Sequence, residues 1–314
     1  MIVRGGTKPG SFIWYMFVRN WWLVALILLV AVFIGELYAQ LPVFGTTVFS
    51  SNAAAMLATV VGIFLVFRFN NAYERWWEAR TLWGGIVNSS RNWGREVTTM
   101  LVASRISGLD EASAKQTQKR LVYRHLAYIN ALRMNLRGED IGEQLQPFLS
   151  EREAEGVQEA ANPAAWLLHR QGVDLSEAAG SDTADTVILT ELHRTLNELS
   201  DFQGGCERIN NTAFPDSVTY MSKALVVFLA LLIPIVFIEP NDRVYPLEFV
   251  AILFISLAFV VVFQLAFELM QPFENEPNDT PMTALCVAIE RDLRQFLGET
   301  DLPEPLEPVE GVLM

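Results

Sequence analysis

The chain has 314 residues, 51% of them hydrophobic, and its 36 acidic and 23 basic side chains give a net charge of -13. That balance excludes nucleic acid as a partner, because phosphates demand a basic footprint. A positive mean hydropathy beside long charged stretches also excludes an ordinary soluble core, since the apolar residues must be concentrated in segments.

A spanning helix needs about 20 apolar residues. Four segments are candidates: Trp21 to Ala39, Ala53 to Phe69, Ala224 to Ile238, and Leu247 to Glu268. The first is too long for a signal peptide and runs on to another apolar span. The third is short unless it takes in Ser217 to Lys223. Arg4, Lys8 and Arg19 precede the first segment, and Arg68, Arg75 and Arg80 follow the second. Basic flanks stay on the cytoplasmic side, so the Gln40 to Ser51 loop is expected outside and both termini in the cytoplasm of a multi-pass inner (plasma) membrane protein.

After Asn70 the pattern turns amphipathic. "YERWWEARTLWGGIVNSSRNWGREV" places Trp76, Leu82, Trp83, Ile86 and Val87 near helical spacing. Trp76 and Trp77 read as interface anchors or as packing against neighbouring helices. "KQTQKRLVYRHLAYINALRMNLR" puts Leu121, His125, Tyr128 and Leu132 on one side of a second helix. Short helices are expected over "GEQLQPFLSEREAEGV" and "PAAWLLHRQG". A longer one, capped by Ser and Asp, should run from "SDTADTVILTELHRTLNELSDFQGGCERI" to a break at Gly204 and Gly205. The acidic, Pro-rich ending "TDLPEPLEPVEGVLM" reads as a docked strap or a loose tail. With no alternating strand pattern of useful length, the expected class is all-α. It divides into 1–69 (first membrane hairpin), 70–215 (cytoplasmic helical domain), 216–269 (second hairpin) and 270–314 (cytoplasmic helix and tail).

Tools of catalysis are missing from the pattern. His125, His169 and His193 stand apart, and no HExxH, GxSxG, P-loop or dinucleotide fingerprint occurs. Cys206 and Cys286 form no CxxC and read as buried thiols. The sequons at Asn88, Asn210 and Asn278 all fall in segments expected to be cytoplasmic. On the second apolar segment, Thr59, Ile63 and Phe67 recur every four residues and share a face. Beside them Ala54, Ala58 and Gly62 form a small-residue ridge that lets helix backbones approach. A stripe of this kind is either packing or, in a ring of copies, a constriction that gates by dewetting. One chain has too few helices to enclose a hydrated pore, so conduction would require an oligomer.

Three further stretches, taken together, resemble the bacterial branch of the bestrophin family. They are "FRFNNAYERWWEARTLWG" at Phe67 to Gly84, "GGCERI" at Gly204 to Ile209 with Thr212 and Pro215, and "QPFENEPNDTPMTAL" at Gln271 to Leu285. The resemblance spans nearly the whole chain and is weakest between Arg105 and Asp185. It implies an all-α integral membrane protein with four transmembrane helices and a large helical cytoplasmic domain, assembled as a homopentameric ion channel around a central pore. Carried over by position, a hydrophobic neck falls on Thr59, Ile63 and Phe67, and a cytoplasmic restriction on Val187. Two departures stand out: Thr59 takes a usually apolar place, implying a wetter outer neck, and Ala213 replaces a usual proline.

The resemblance also implies that Glu276, Asn278 and Asp279 form a thin version of the animal calcium loop, with Glu274 in place of a glycine. Calcium wants six to eight oxygens, so these three could equally be a solvated turn, and no other cofactor is implied. By family the permeant ion is an anion, chloride. The single aromatic of the neck and the acidic composition point the other way, towards sodium or potassium. A non-conducting membrane scaffold and a membrane enzyme are the remaining classes; the first predicts no ion flux and the second a cluster of carboxylates facing a cavity.

Overall fold

The computed structural model describes residues 18, 20–40, 51–102, 110–178, 183–238, 246–309 and 311–313. Within them the chain is helical: α1 (Trp21–Gln40), α2 (Ser51–Met100), α3 (Glu111–Arg137), a 3-10 turn (Glu143–Phe148), α4 (Glu151–Glu159), α5 (Pro163–Ala178), α6 (Thr183–Asn211), α7 (Asp216–Phe237), α8 (Pro246–Leu269) and α9 (Met282–Phe296). The loop after Gln40, the basic residues Arg4, Lys8 and Arg19, and the expected Ser181 cap of α6 lie outside the described residues.

Two compact units divide the chain. A membrane unit takes the sequence up to Trp76 together with Ala213–Gln271, and an extramembrane unit takes Trp77–Thr212 together with the sequence from Pro272 onward. α2 is one uninterrupted helix of 50 residues that contributes to both. The abrupt change of composition at Arg68 therefore marks a change of surroundings, not the end of an element.

In the membrane unit α7 packs on α8 and on α1. Leu23, Ile27 and Ala31 of α1, Val61 and Leu65 of α2, Val226, Leu229 and Ala230 of α7, and Ile252 and Val260 of α8 form its core. α7 starts at Asp216, so the short third apolar segment does take in its polar upstream residues and becomes long enough to span. Polar links join these helices: Asn20 donates to Gln264 (2.7 Å) and Ser256 to the Ala230 carbonyl (3.2 Å).

The extramembrane unit is built around α3. Asp110 caps it by accepting from the Ser113 N–H (2.7 Å), and Gly138 ends it in the left-handed conformation (φ 64°). Leu121, His125, Tyr128 and Leu132 are all fully buried there, against Trp83, Trp93 and Leu199 among others. Arg124, also buried, is neutralised by Glu153 (2.7 Å) and Asp174 (2.9 Å), which ties α4 and α5 to α3.

Two expectations are corrected. The stretch expected as one short helix from Gly142 splits into the 3-10 turn and α4, because Pro147 interrupts it and Ser150 opens α4 with a capping box to Glu153. More important, α6 runs straight through Gly204 and Gly205 to Asn211. A Cβ on Gly205 would lie 2.8 Å from Cδ2 of Leu82, so this glycine serves close helix packing rather than termination. The acidic ending is docked over its first residues: Glu299 accepts from the Tyr123 hydroxyl (2.8 Å), Arg294 donates to the Asp301 carbonyl (2.7 Å) and Arg291 to that of Pro303.

Candidate functional site

The first part of α2 has two unlike sides. Val61, Leu65 and Arg68 are buried, whereas Thr59 is exposed, Ile63 is 54% exposed and Phe67 65%. Met56, Val60 and Val66 flank the stripe and are exposed too. The result is a broad apolar band on one helix, larger than isolated surface hydrophobes would give. The ridge of Ala54, Ala58 and Gly62 faces the other way. Ala54 and Ala58 line a cavity of about 450 Å³ with Leu229, Ile233 and Phe259, and a Cβ on Gly62 would sit 3.9 Å from Phe259. The small-residue ridge thus faces α7 and α8 across open space rather than in close contact, while the Thr59, Ile63, Phe67 face stays uncovered.

Thr59 is less polar than its composition implies. Its hydroxyl donates back to the Ala55 carbonyl at 2.8 Å, which occupies its only donor and leaves the methyl and a lone pair on the exposed side.

Arg68, expected as a basic flank of the second apolar segment, is instead buried in the membrane unit, at 3% exposure. Its guanidinium donates to Ser222 (3.0 Å) and Thr219 (3.3 Å) and lies 5.3 Å from the centre of the Phe214 ring and 5.1 Å from that of Phe263. These partners are hydroxyls and rings rather than a carboxylate. The polar start of α7 thereby has a purpose: Thr219 and Ser222, three apart on one face, receive a cation that follows directly after Phe67.

Val187 belongs to the extramembrane unit, near the start of α6, and is 62% exposed. Asp279 is buried and uses one carboxylate oxygen to accept from the Glu276 N–H (3.0 Å), while the Glu276 side chain is exposed and Asn278 half-buried. Among the described residues no three His, Cys, Asp or Glu side chains gather as a metal cage, and the donor set does not fit calcium's need for six to eight oxygens. Burial pushes the Asp279 carboxyl up to about 6, against the lowering effect of that N–H bond and with help from the Glu276 and Glu274 charges. His125 is equally inert: burial pushes it down to about 3, and its Nε2 lies 2.8 Å from the Ser90 hydroxyl. Cys206 and Cys286 are buried free thiols, each pushed up to about 12 by burial.

Among the described residues, three helices long and apolar enough to cross a membrane, a shorter apolar one, and a second helical unit define a polytopic α-helical membrane protein. The family model described as Bacterial/Fungal Bestrophin protein matches residues 16–295. The chain belongs to this bestrophin family. It is 33% identical over 249 residues to the voltage-dependent anion channel-forming protein YneE of Salmonella typhi, covering 79% of this chain and 77% of that one. A voltage-dependent anion channel-forming protein of Mesorhizobium japonicum is 32% identical over 263 residues, covering 84% and 80%. Among solved structures, a bacterial bestrophin homolog from Klebsiella pneumoniae superposes with a TM-score of 0.78 at 24% identity, covering 89% of this chain and 98% of that one; it bears on the fold alone.

Proposed function

We propose that the chain forms a homopentameric channel in the inner membrane, both termini cytoplasmic, that passes small monovalent anions, chloride foremost. The observation that carries this reading is the exposed Thr59, Ile63, Phe67 stripe on a helix whose Val61, Leu65 and Arg68 are buried in the membrane unit. Repeated around an axis, it becomes a hydrophobic neck that admits ions only when wetted. Val187, also apolar and exposed, supplies the cytoplasmic restriction. The preference for anions is supported by the relatives, which are anion channel-forming proteins.

Orientation follows from the basic residues around the first hairpin. A net charge of -13 on the chain does not decide the ion, because charges off the path are screened within about 10 Å.

Purified protein in a planar bilayer under a potassium chloride gradient tests the reading. A reversal potential near the chloride equilibrium value is expected. One near the potassium value makes the protein a cation channel, and no current at all leaves a membrane scaffold.

A further inference from the structure

α6 continues beyond Val187 with a charged ladder on the same face. Val187, Glu191, Arg194 and Glu198 follow at spacings of four, three and four, which at 100° per residue confines them to a strip about 60° wide. The helix is anchored on the side beyond Glu191: Leu192 and Leu199 are fully buried, and Thr195, on the flank next to Glu191, donates to the buried carboxylate of Glu96 at 2.7 Å. Arg194 therefore projects outward beside the exposed Val187, with Glu191 and Glu198 half-buried on its flank towards the packed side.

The ladder is held in place. Arg194 reaches Glu191 at 2.9 Å and Glu198 at 3.9 Å, and its side chain remains 64% exposed. Glu198 is fixed in turn by the Ser89 hydroxyl, which donates to it at 3.1 Å. Two carboxylates and one guanidinium leave the strip with an excess negative charge that the arginine alone moderates.

We propose that Arg194 is a specificity-determining residue of the channel, one member of a ring of guanidiniums held between two rings of carboxylates on the ion path next to Val187. The inference rests on the reading of Val187 as the cytoplasmic restriction. It adds a second stage of discrimination, set by charge, to a neck set by dewetting. Each copy brings a positive group to within a few ångströms of a passing ion, where solvent screens least. Removing that group uncovers Glu191 and Glu198 and turns the stage against anions.

The test compares chloride-to-potassium permeability ratios from reversal potentials in planar bilayers. Arg194→Gln should lower the ratio by about threefold or more, the Coulomb effect expected across several ångströms of water, and Glu191→Gln should raise it. Arg194→Cys permits a second measurement, because Cys206 and Cys286 are buried and protonated and do not compete for thiol reagents. Labelling Arg194→Cys with a trimethylammonium thiosulfonate should restore the ratio, and a sulfonate thiosulfonate should lower it further. Folding should be unaffected, since exposed helix-surface pairs of this kind contribute little, and elution as the same oligomer checks it. Val187→Ala separates the two levels of the argument. A changed conductance in Val187→Ala with unmoved ratios in the Arg194 and Glu191 variants overturns the charge stage and leaves the restriction standing. An unchanged Val187→Ala conductance overturns the restriction and the charge stage with it.

Discussion

Gly85 and Phe202 occupy one another's space: a Cβ on Gly85 would lie 2.5 Å from Cζ of the Phe202 ring. The neighbouring pair is reciprocal, with Gly205 of α6 receiving Leu82 of α2. Two glycines on facing helices each accept a large side chain from the other, and α2 and α6 interlock through them. Gly85→Ala should therefore cost about 1–3 kcal/mol by overpacking, read as a lower thermal midpoint of the detergent-solubilised protein. Phe202→Leu should recover part of that loss in the double variant. A double variant no more stable than Gly85→Ala alone contradicts the interlock.

Ile63 stands in the middle of the exposed stripe, between a threonine with its donor occupied and the phenylalanine. Shortening it widens a dry constriction and lowers the dewetting barrier. Ile63→Ala should raise single-channel conductance severalfold, and Ile63→Asn should do so more strongly by wetting the ring. Currents identical to the parent in both variants would remove the stripe from the ion path.

The guanidinium of Arg68 bridges two hydroxyls of α7 and lies against two aromatic rings. A lysine keeps the charge but has neither the fork nor the plane. Arg68→Lys should lose about 1.5–3 kcal/mol, the worth of a hydrogen bond from a charged group. Ser222→Ala should add little on top of it, because the bond is already gone. Full additivity of the two changes, read from thermal midpoints, would show that Arg68 and Ser222 are not coupled.

How much of this was legible in the sequence depends on how local each cause is. The apolar segments were legible because in lipid a backbone has no partner but itself. Fourfold spacing put Thr59, Ile63 and Phe67 on one face. What that face meets was not legible, because periodicity groups residues without saying what stands opposite. Arg68 looked like a flank because its partners lie 151 and 154 positions further on. Gly204 and Gly205 looked like a stop because a glycine that ends a helix and one that admits a neighbour read alike; in the structure Leu82 fills the space at Gly205, while nothing crowds Gly204.

Asp279 reads from the structure as a backbone clamp. Its carboxylate accepts from Glu276, and burial holds its pKa at about 6. Asp279→Asn keeps an oxygen for that N–H and removes a charge costly to bury, so its thermal midpoint at pH 7 should equal or exceed the parent's. Adding calcium or a chelator should move neither midpoint. A calcium-dependent rise in the parent that vanishes in Asp279→Asn would instead identify the loop as a cation site.

His125 gives a pH dependence whose sign can be worked out. Folded, it is neutral down to about 3; unfolded, it takes up a proton near its ordinary 6.5. Its stabilisation is therefore complete above 6.5 and is lost as pH falls from 6.5 towards 3, with a slope approaching about 1.4 kcal/mol per pH unit. Asp279 works in the opposite direction. Its raised pKa makes burial costly above about 6, and the cost disappears as pH falls through 6 towards 3.8. The two partly cancel in the parent protein, so a shallow profile there is uninformative. In His125→Gln only the Asp279 contribution of this pair remains, and the difference in unfolding free energy between parent and variant should shrink steadily from pH 7 to pH 4. A difference independent of pH over that range would mean that the imidazole at 125 takes up its proton equally in the folded and unfolded chains, against its place in a fully buried site.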